Sequence, residues 1–164
     1  MTVLYQNKIL SYLFVFSLGF ISSFSLPPYN LFYINFFSYP ALLLVLLYSK
    51  DKITSFNVGW IFGFGYFISN LYWITHSLTF EDIFKPLIPF ALILIPLFLG
   101  LFYGISTLVF SLLNPKKNLL SILILSTSLS FFEYLRSFLL GGFPWNLISF
   151  SFVNYLELIQ LLSI

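Results

Sequence analysis

Apolar stretches close to twenty residues long recur along the chain, each closed by a short cluster of helix breakers or charges, and this recurrence constrains the fold most. A helix needs about 20 apolar residues to cross a hydrocarbon core of roughly 30 Å. Inside lipid, only structures that satisfy their own backbone groups persist. By that measure spans fall at about 9–26, 31–48, 56–78, 87–113 and 119–140, with a sixth beginning near 155. The separators are Pro27-Pro28-Tyr29-Asn30, Ser49-Lys50-Asp51-Lys52, the run from Phe80 to Pro86, and Asn114-Pro115-Lys116-Lys117. Each pairs turn formers or charges with residues that interrupt a helix. The expected fold class is all-α, a polytopic membrane helix bundle. Residues 1–164 form one transmembrane domain in this reading, with five complete transmembrane helices plus the start of a sixth.

Composition excludes the other broad classes. Hydrophobic residues make up 60% of the chain and charged residues 7%, with mean hydropathy +1.00, which a soluble domain could not carry on its surface. Seven basic and five acidic side chains are too few and too scattered for a nucleic-acid footprint. The sequence contains no cysteine, so it offers no disulfide, thiolate metal ligand or thiol nucleophile. A single histidine, His76, with dispersed carboxylates supplies too few ligands for a metal, and no cofactor is expected. The first apolar run lacks a small-residue cleavage pattern and reads as a retained span. The last one reads as a span cut short, hence a fragment, or else as a re-entrant segment.

With the N-terminus in the cytoplasm, Lys8, Lys50, Lys52, Lys116 and Lys117 all fall inside, against Lys85 and Arg136 on or toward the far side. That satisfies the positive-inside bias and puts the turn around Phe143-Pro144-Trp145 on the outer face.

Several constellations carry chemical content. In the third span Gly59, Gly63, Tyr66, Asn70, Trp73 and Ser77 recur at spacings of four and three, one helical stripe. Either the glycines admit a neighbouring helix and Asn70 bonds across it, or Tyr66, Asn70, Tyr72 and Trp73 line an outward-opening cavity for a polar headgroup. Pro96, Gly100 and Gly104 repeat the device in the fourth span, where close packing with a kink at the proline is expected. His76 and Ser77 beside Glu81-Asp82 have the residue types of an acyl-transfer triad, but sequence neighbours rarely take its geometry. An interfacial histidine fits better.

Glu133 and Arg136 lie inside an otherwise apolar segment, three apart and therefore on one helix face. Counted from Leu119 at about 1.5 Å per residue, they fall in the outer half of the bilayer. Charges there are costly and mark a functional site by default. Two readings stand: a buried pair that fixes packing or snorkels to the interface, or an Arg136 that faces a phosphate or carboxylate while Glu133 orients it. Trp145 follows Pro144 just beyond the pair, as a belt anchor or a substrate contact.

The order of these features resembles the membrane part of apolipoprotein N-acyltransferase. The resemblance rests on Ser25-Leu26-Pro27-Pro28-Tyr29-Asn30, on Gly59 to Phe67, on Leu71-Tyr72-Trp73-Ile74, and above all on Phe132-Glu133-Tyr134-Leu135-Arg136 leading to Gly142-Phe143-Pro144-Trp145-Asn146. It implies a bacterial enzyme of the inner membrane that moves an acyl chain from a phospholipid donor to the N-terminal cysteine of a diacylated lipoprotein acceptor. It also implies a nitrilase-like domain with a Glu-Lys-Cys triad, whose thiolate nucleophile these residues lack, so the chain by itself is expected to be inactive. Tyr72, Trp73, Glu133, Arg136, Pro144 and Trp145 are then the residues expected to line or shape the route of the substrates, none of them catalytic. A noncatalytic reading, a small transporter-like bundle or a scaffold for a separate domain, is compatible with Pro96 and the charged pair.

Overall fold

The computed structural model describes residues 7–115, 119–139 and 146–161, and the regular elements among them are all helical. They are α1 (Lys8–Ser22), α2 (Asn35–Leu47), α3 (Lys52–Asn70), the single-turn α4 (Ile74–Ser77), α5 (Ile88–Leu113), α6 (Leu119–Leu139) and the short α7 (Leu156–Leu161). Tighter 3₁₀ turns extend α1 (Ser23–Ser25), lead into α2 (Phe32–Ile34) and α5 (Asp82–Leu87), and fill Ile148–Phe152 between α6 and α7.

Three helical stretches are long and apolar enough to cross a membrane, Lys8–Ser25, Asp82–Leu113 and Leu119–Leu139, where the sequence reading counts five. The stretch Phe32–Leu47 is apolar but shorter. The 19 residues of α3 include Lys52, Thr54, Ser55, Asn57 and glycines that dilute its hydropathy. A second difference concerns the end of this helix. It stops at Asn70, not at 78, and the chain turns at Leu71 before the isolated turn of α4. The last residues of α3 spend their side chains on the end of α1: Ser69 Oγ bonds Ser23 Oγ at 2.5 Å and Asn70 Nδ2 donates to the Ser23 carbonyl at 3.3 Å. Short polar side chains that bond outside the helix favour its termination. Trp73 and Ser77 therefore leave the stripe that Gly59, Gly63, Tyr66 and Asn70 share.

The core is built on α3, which packs against α1 on one side and α5 on the other. Lipid tails are as apolar as leucine, so helices in a membrane associate by close packing, and small residues permit it. A methyl group added at Gly63 would lie 2.9 Å from Gly100 Cα, and one at Gly100 would lie 3.0 Å from Phe64 N and Trp60 O. On the opposite side, methyls at Gly19 and Gly65 would strike the carbonyls of Phe62 and Phe16. The close-packing expectation for Gly59 with Gly63 and for Gly100 with Gly104 is met, and Gly19 with Gly65 adds a contact of the same kind. Hydrogen bonds then register the faces: Thr107 Oγ1 donates to Ser55 O at 2.8 Å, Trp60 Nε1 to Leu97 O at 2.9 Å, and Ser128 Oγ to Ser106 O at 2.9 Å. The last of these ties α6 to α5. Val15, Leu42, Val58, Phe62, Phe67, Leu99 and Tyr103 fill the space between.

Asp51 caps α3, its carboxylate accepting from Thr54 N at 2.7 Å and Thr54 Oγ1 at 2.9 Å. These bonds, the backbone one first, hold the carboxyl below its ordinary range. The folded value is the depressed one, so the cap is intact above the usual carboxylate range and is lost as pH falls through that lowered value. The protection of the Thr54 amide, its exchange rate measured against the intrinsic rate at the same pH, should fall at low pH, and Asp51→Ala should show the reduced protection at every pH.

The glycine contacts give a graded expectation. Gly63→Ala, which meets backbone, should cost about 1–3 kcal/mol in a detergent unfolding titration. Gly104→Ala, which meets the rotatable Phe56 ring at 2.9 Å, should cost less. Equal losses would show that the α3–α5 approach is not set by backbone contact.

Candidate functional site

The ends of α1, α3 and α6 and the start of α2 meet at one face of the bundle, and a cluster of bonded polar side chains lies there. Asn35, the first residue of α2, accepts from Ser22 Oγ at 2.8 Å and donates to Ser25 Oγ at 3.0 Å and Ser151 Oγ at 3.3 Å. One amide thereby joins the C-terminal end of α1 to the 3₁₀ turn after α6. Ser22, Ser25 and Ser151 are all buried, so these bonds satisfy groups that could not otherwise be hidden from water.

Glu133 and Arg136 lie one helical turn apart on the face of α6 that looks into this cluster. Arg136 is fully buried and the Glu133 side chain is 13% exposed, with Arg136 Nη2 3.8 Å from Glu133 Oε1. The guanidinium carbon sits 4.9 Å from the centre of the Phe67 ring, a cation–π placement that favours a desolvated arginine. The carboxylate accepts from Tyr103 Oη at 3.3 Å and from the backbone N–H of Ile148 at 3.2 Å. A phenol has one proton to give, so the 3.3 Å contact between Tyr39 and Tyr103 is one in which Tyr39 donates. The chain of bonds Tyr39 to Tyr103 to Glu133 to Ile148 crosses from α2 through α5 and α6 to the segment that follows.

A second bond holds that segment. Tyr66, fully buried on α3, donates to the carbonyl of Asn146 at 3.1 Å, and Asn146 itself adopts a positive φ of 43°, a conformation asparagine tolerates. The residues immediately after Trp145 are thus tied to the bundle at two points, Tyr66 with Asn146 and Glu133 with Ile148. Pro144 and Trp145 lie outside the described residues.

Tyr72 and Trp73 are in a different place. They lie on the turn beyond α3, exposed, and with Thr75, His76, Ser77 and Phe80 they line a cleft of about 450 Å³. Glu133 and Arg136 are not among the residues that line this cleft, and Tyr66 and Asn70 bond instead to Asn146 and Ser23. His76 meets Phe80 edge-on at 6.5 Å. No group of three or more possible metal-ligating side chains occurs among the described residues.

Three contributors escape a sequence reading centred on charges: Tyr39, Tyr103 and Asn35. Tyr103 had a signal, since with Pro96, Gly100 and Thr107 it follows the inward stripe of α5. Tyr39, beside Pro40 in an apolar run, had none.

Residues 18–164 match the family described as Apolipoprotein N-acyltransferase N-terminal domain. Similar relatives include the apolipoprotein N-acyltransferase of Agrobacterium fabrum, 36% identical over 143 residues, which covers 80% of this chain and 27% of the relative. That of Brucella suis biovar 1 is 36% identical over 135 residues, covering 76% and 25%, and that of Rhodopseudomonas palustris 34% over 152 residues, covering 89% and 28%. The chain spans about a quarter of the length of the curated relatives it matches.

The two tethers differ in what their loss should cost. Tyr66→Phe removes a single neutral bond and should destabilise by about 0.5–1.5 kcal/mol. Glu133→Ala removes the carboxylate beside a fully buried cation and should cost about 3–5 kcal/mol. Both should speed hydrogen exchange at the Ile148 amide, which a purely global destabilisation, such as Gly104→Ala, should leave in step with the rest of the bundle.

Proposed function

The chain belongs to the apolipoprotein N-acyltransferase family through its N-terminal domain, and from that premise we propose that it is the membrane platform on which substrates are presented for acyl transfer to lipoproteins. The reaction is transfer of an acyl chain from a phospholipid to the N-terminal cysteine of a diacylated lipoprotein. Its nucleophile belongs to a Glu-Lys-Cys domain that these residues do not include, since the sequence contains no cysteine, and the chain alone does not catalyse it.

The observation that carries this reading is the two-point tether. Glu133 and Tyr66 bond the backbone of Ile148 and Asn146, so the bundle fixes where the chain runs directly after Pro144 and Trp145. In this role Glu133 and Arg136 are positioning residues. Arg136 neutralises the buried carboxylate, and the carboxylate holds the segment. Pro144 and Trp145 shape the substrate route at that end, and Tyr72 and Trp73 shape it beside α3. Holding a reacting partner in place supplies a large part of a catalytic effect, even from residues that never touch the reacting atoms.

The bundle lies in the bacterial inner membrane with five spans, α2 and α3 crossing under cover of their neighbours. The N-terminus is cytoplasmic. Lys8, Lys50 and Lys52 stand at the end opposite the site, as the positive-inside bias asks.

In the complete enzyme, Trp145→Ala and Arg136→Ala should each lower lipoprotein acylation by about tenfold, equivalent to ~1.4 kcal/mol of transition-state stabilisation, with membrane insertion unchanged. Arg136→Lys, which keeps charge but not the planar fork, should fall between. Full activity in all three variants would reduce the pair and the turn to packing, and acylation by the 164-residue chain itself would overturn the division of labour.

A further inference from the structure

We propose that Asn35 is a further positioning residue for the acyl transfer: through Ser151 it locks the segment that follows α6 to α2, at a point that neither Tyr66 nor Glu133 reaches. The proposal rests on the membrane-platform reading and adds a third anchor to it.

The chemistry at position 35 calls for an amide. Its Oδ1 accepts from Ser22 Oγ at 2.8 Å, and its two Nδ2 protons go to Ser25 Oγ at 3.0 Å and Ser151 Oγ at 3.3 Å. An asparagine has two such protons, and both are placed. Ser151 gives its own single proton to the Ile148 carbonyl, so what its hydroxyl can still take is a donor. It is 1% exposed, and Asn35 supplies that donor where water does not reach. A carboxylate has no proton to offer, a hydroxyl has one, and glutamine would carry the amide a methylene too far.

The bond completes a circuit. The peptide of Ile148 is gripped at both ends, its N–H by Glu133 at 3.2 Å and its carbonyl by Ser151, which Asn35 holds in turn. Glu133 accepts from Tyr103 and Tyr103 from Tyr39. Tyr39 lies four residues after Asn35, on the same face of α2. The polar chain thus leaves α2 at Tyr39 and returns to it at Asn35, with Ile148 between. Ser38, Leu42 and Leu46 bury this helix in the bundle, so both ends of the circuit are mounted on a fixed element. Ring contacts run alongside: Phe32, just before α2, lies 5.8 Å from Phe152 and 5.1 Å from Tyr155.

A third anchor does what two cannot. A segment held at Asn146 and Ile148 alone can still swing about the line joining them. Ser151, one turn further on, removes that rotation, and the chain that follows Trp145 then has one orientation against the bundle. Fixed orientation is what a surface that presents substrates needs.

In the complete enzyme, Asn35→Ala and Ser151→Ala should each raise the KM for the lipoprotein acceptor at least threefold, with kcat per folded molecule changed less than twofold. The double variant should show no more than the larger single effect, because both changes remove one shared bond. Ser128→Ala, which deletes a buried bond between α6 and α5, should lower stability and leave KM unchanged, and an Asn35 that served packing alone would behave the same way. In the 164-residue chain, Ser151→Ala should speed hydrogen exchange at the Val153 amide, bonded to Phe150 O at 3.2 Å, at least tenfold relative to the amides of α3. Unchanged KM in both single variants, additive effects in the double, or unchanged exchange at Val153 would each overturn the role of Asn35. If Trp145→Ala and Arg136→Ala lower acylation while Asn35→Ala and Ser151→Ala do not, the third anchor fails and the platform reading stands. Full activity in all four variants overturns the platform reading and the proposal with it.

Discussion

The rest of the structure depends on how closely α3 approaches α5. In water, burial of apolar surface would hold two such helices together. In lipid that force is absent between them, and what remains is dispersion at short range and hydrogen bonds. Gly63 opposite Gly100 lets backbone lie on backbone. Only at that distance can Thr107 reach the Ser55 carbonyl, Trp60 reach Leu97, and the rings of Phe62 and Tyr66 each lie 5.8 Å from that of Tyr103. Larger residues at Gly63 and Gly100 would hold the helices apart and leave each of those groups short of its partner.

The same approach brings Tyr103 within reach of Glu133. A carboxylate inside a bundle needs donors from several directions, and it receives one from α5, one from the backbone of Ile148 and a cation from its own helix. The arrangement converts a costly buried charge into a fastener for the 3₁₀ turn at Ile148–Phe152. Buried ionic groups contribute weakly to stability compared with apolar packing, and what this one contributes is definition of where the segment after α6 lies.

Much of this was legible in the sequence, and the unreadable parts have physical reasons. The helical class, the glycine faces on α3 and α5 and the pairing of Glu133 with Arg136 follow from spacing, since residues three and four apart share a helix face. The end of α3 did not follow. Its apolar run continues through Leu71, Tyr72 and Trp73 to Ile74, and hydropathy cannot register that Ser69 and Asn70 bond to Ser23 on another helix. Partners from far along the chain, such as Ile148 for Glu133 or Ser151 for Asn35, were equally out of reach, because a backbone N–H carries no identity in sequence. The triad suggested by Ser77, His76 and Glu81-Asp82 finds no support, with the Ser77 hydroxyl donating to Ile74.

The helix at the centre of the bundle is the one whose composition qualifies it least to be in a membrane. Hydropathy measures what a helix would face if surrounded by lipid, whereas α3 faces α1 and α5 along most of its length. Its serines, threonine and asparagines leave it with little affinity for hydrocarbon by itself. In biosynthesis α1 and α3 emerge before α5, so a newly made α3 has one of its two covering helices and waits for the other. If α3 spans the membrane as proposed, its polar side chains are fully covered only once α5, the longest helix among the described residues, has joined the bundle.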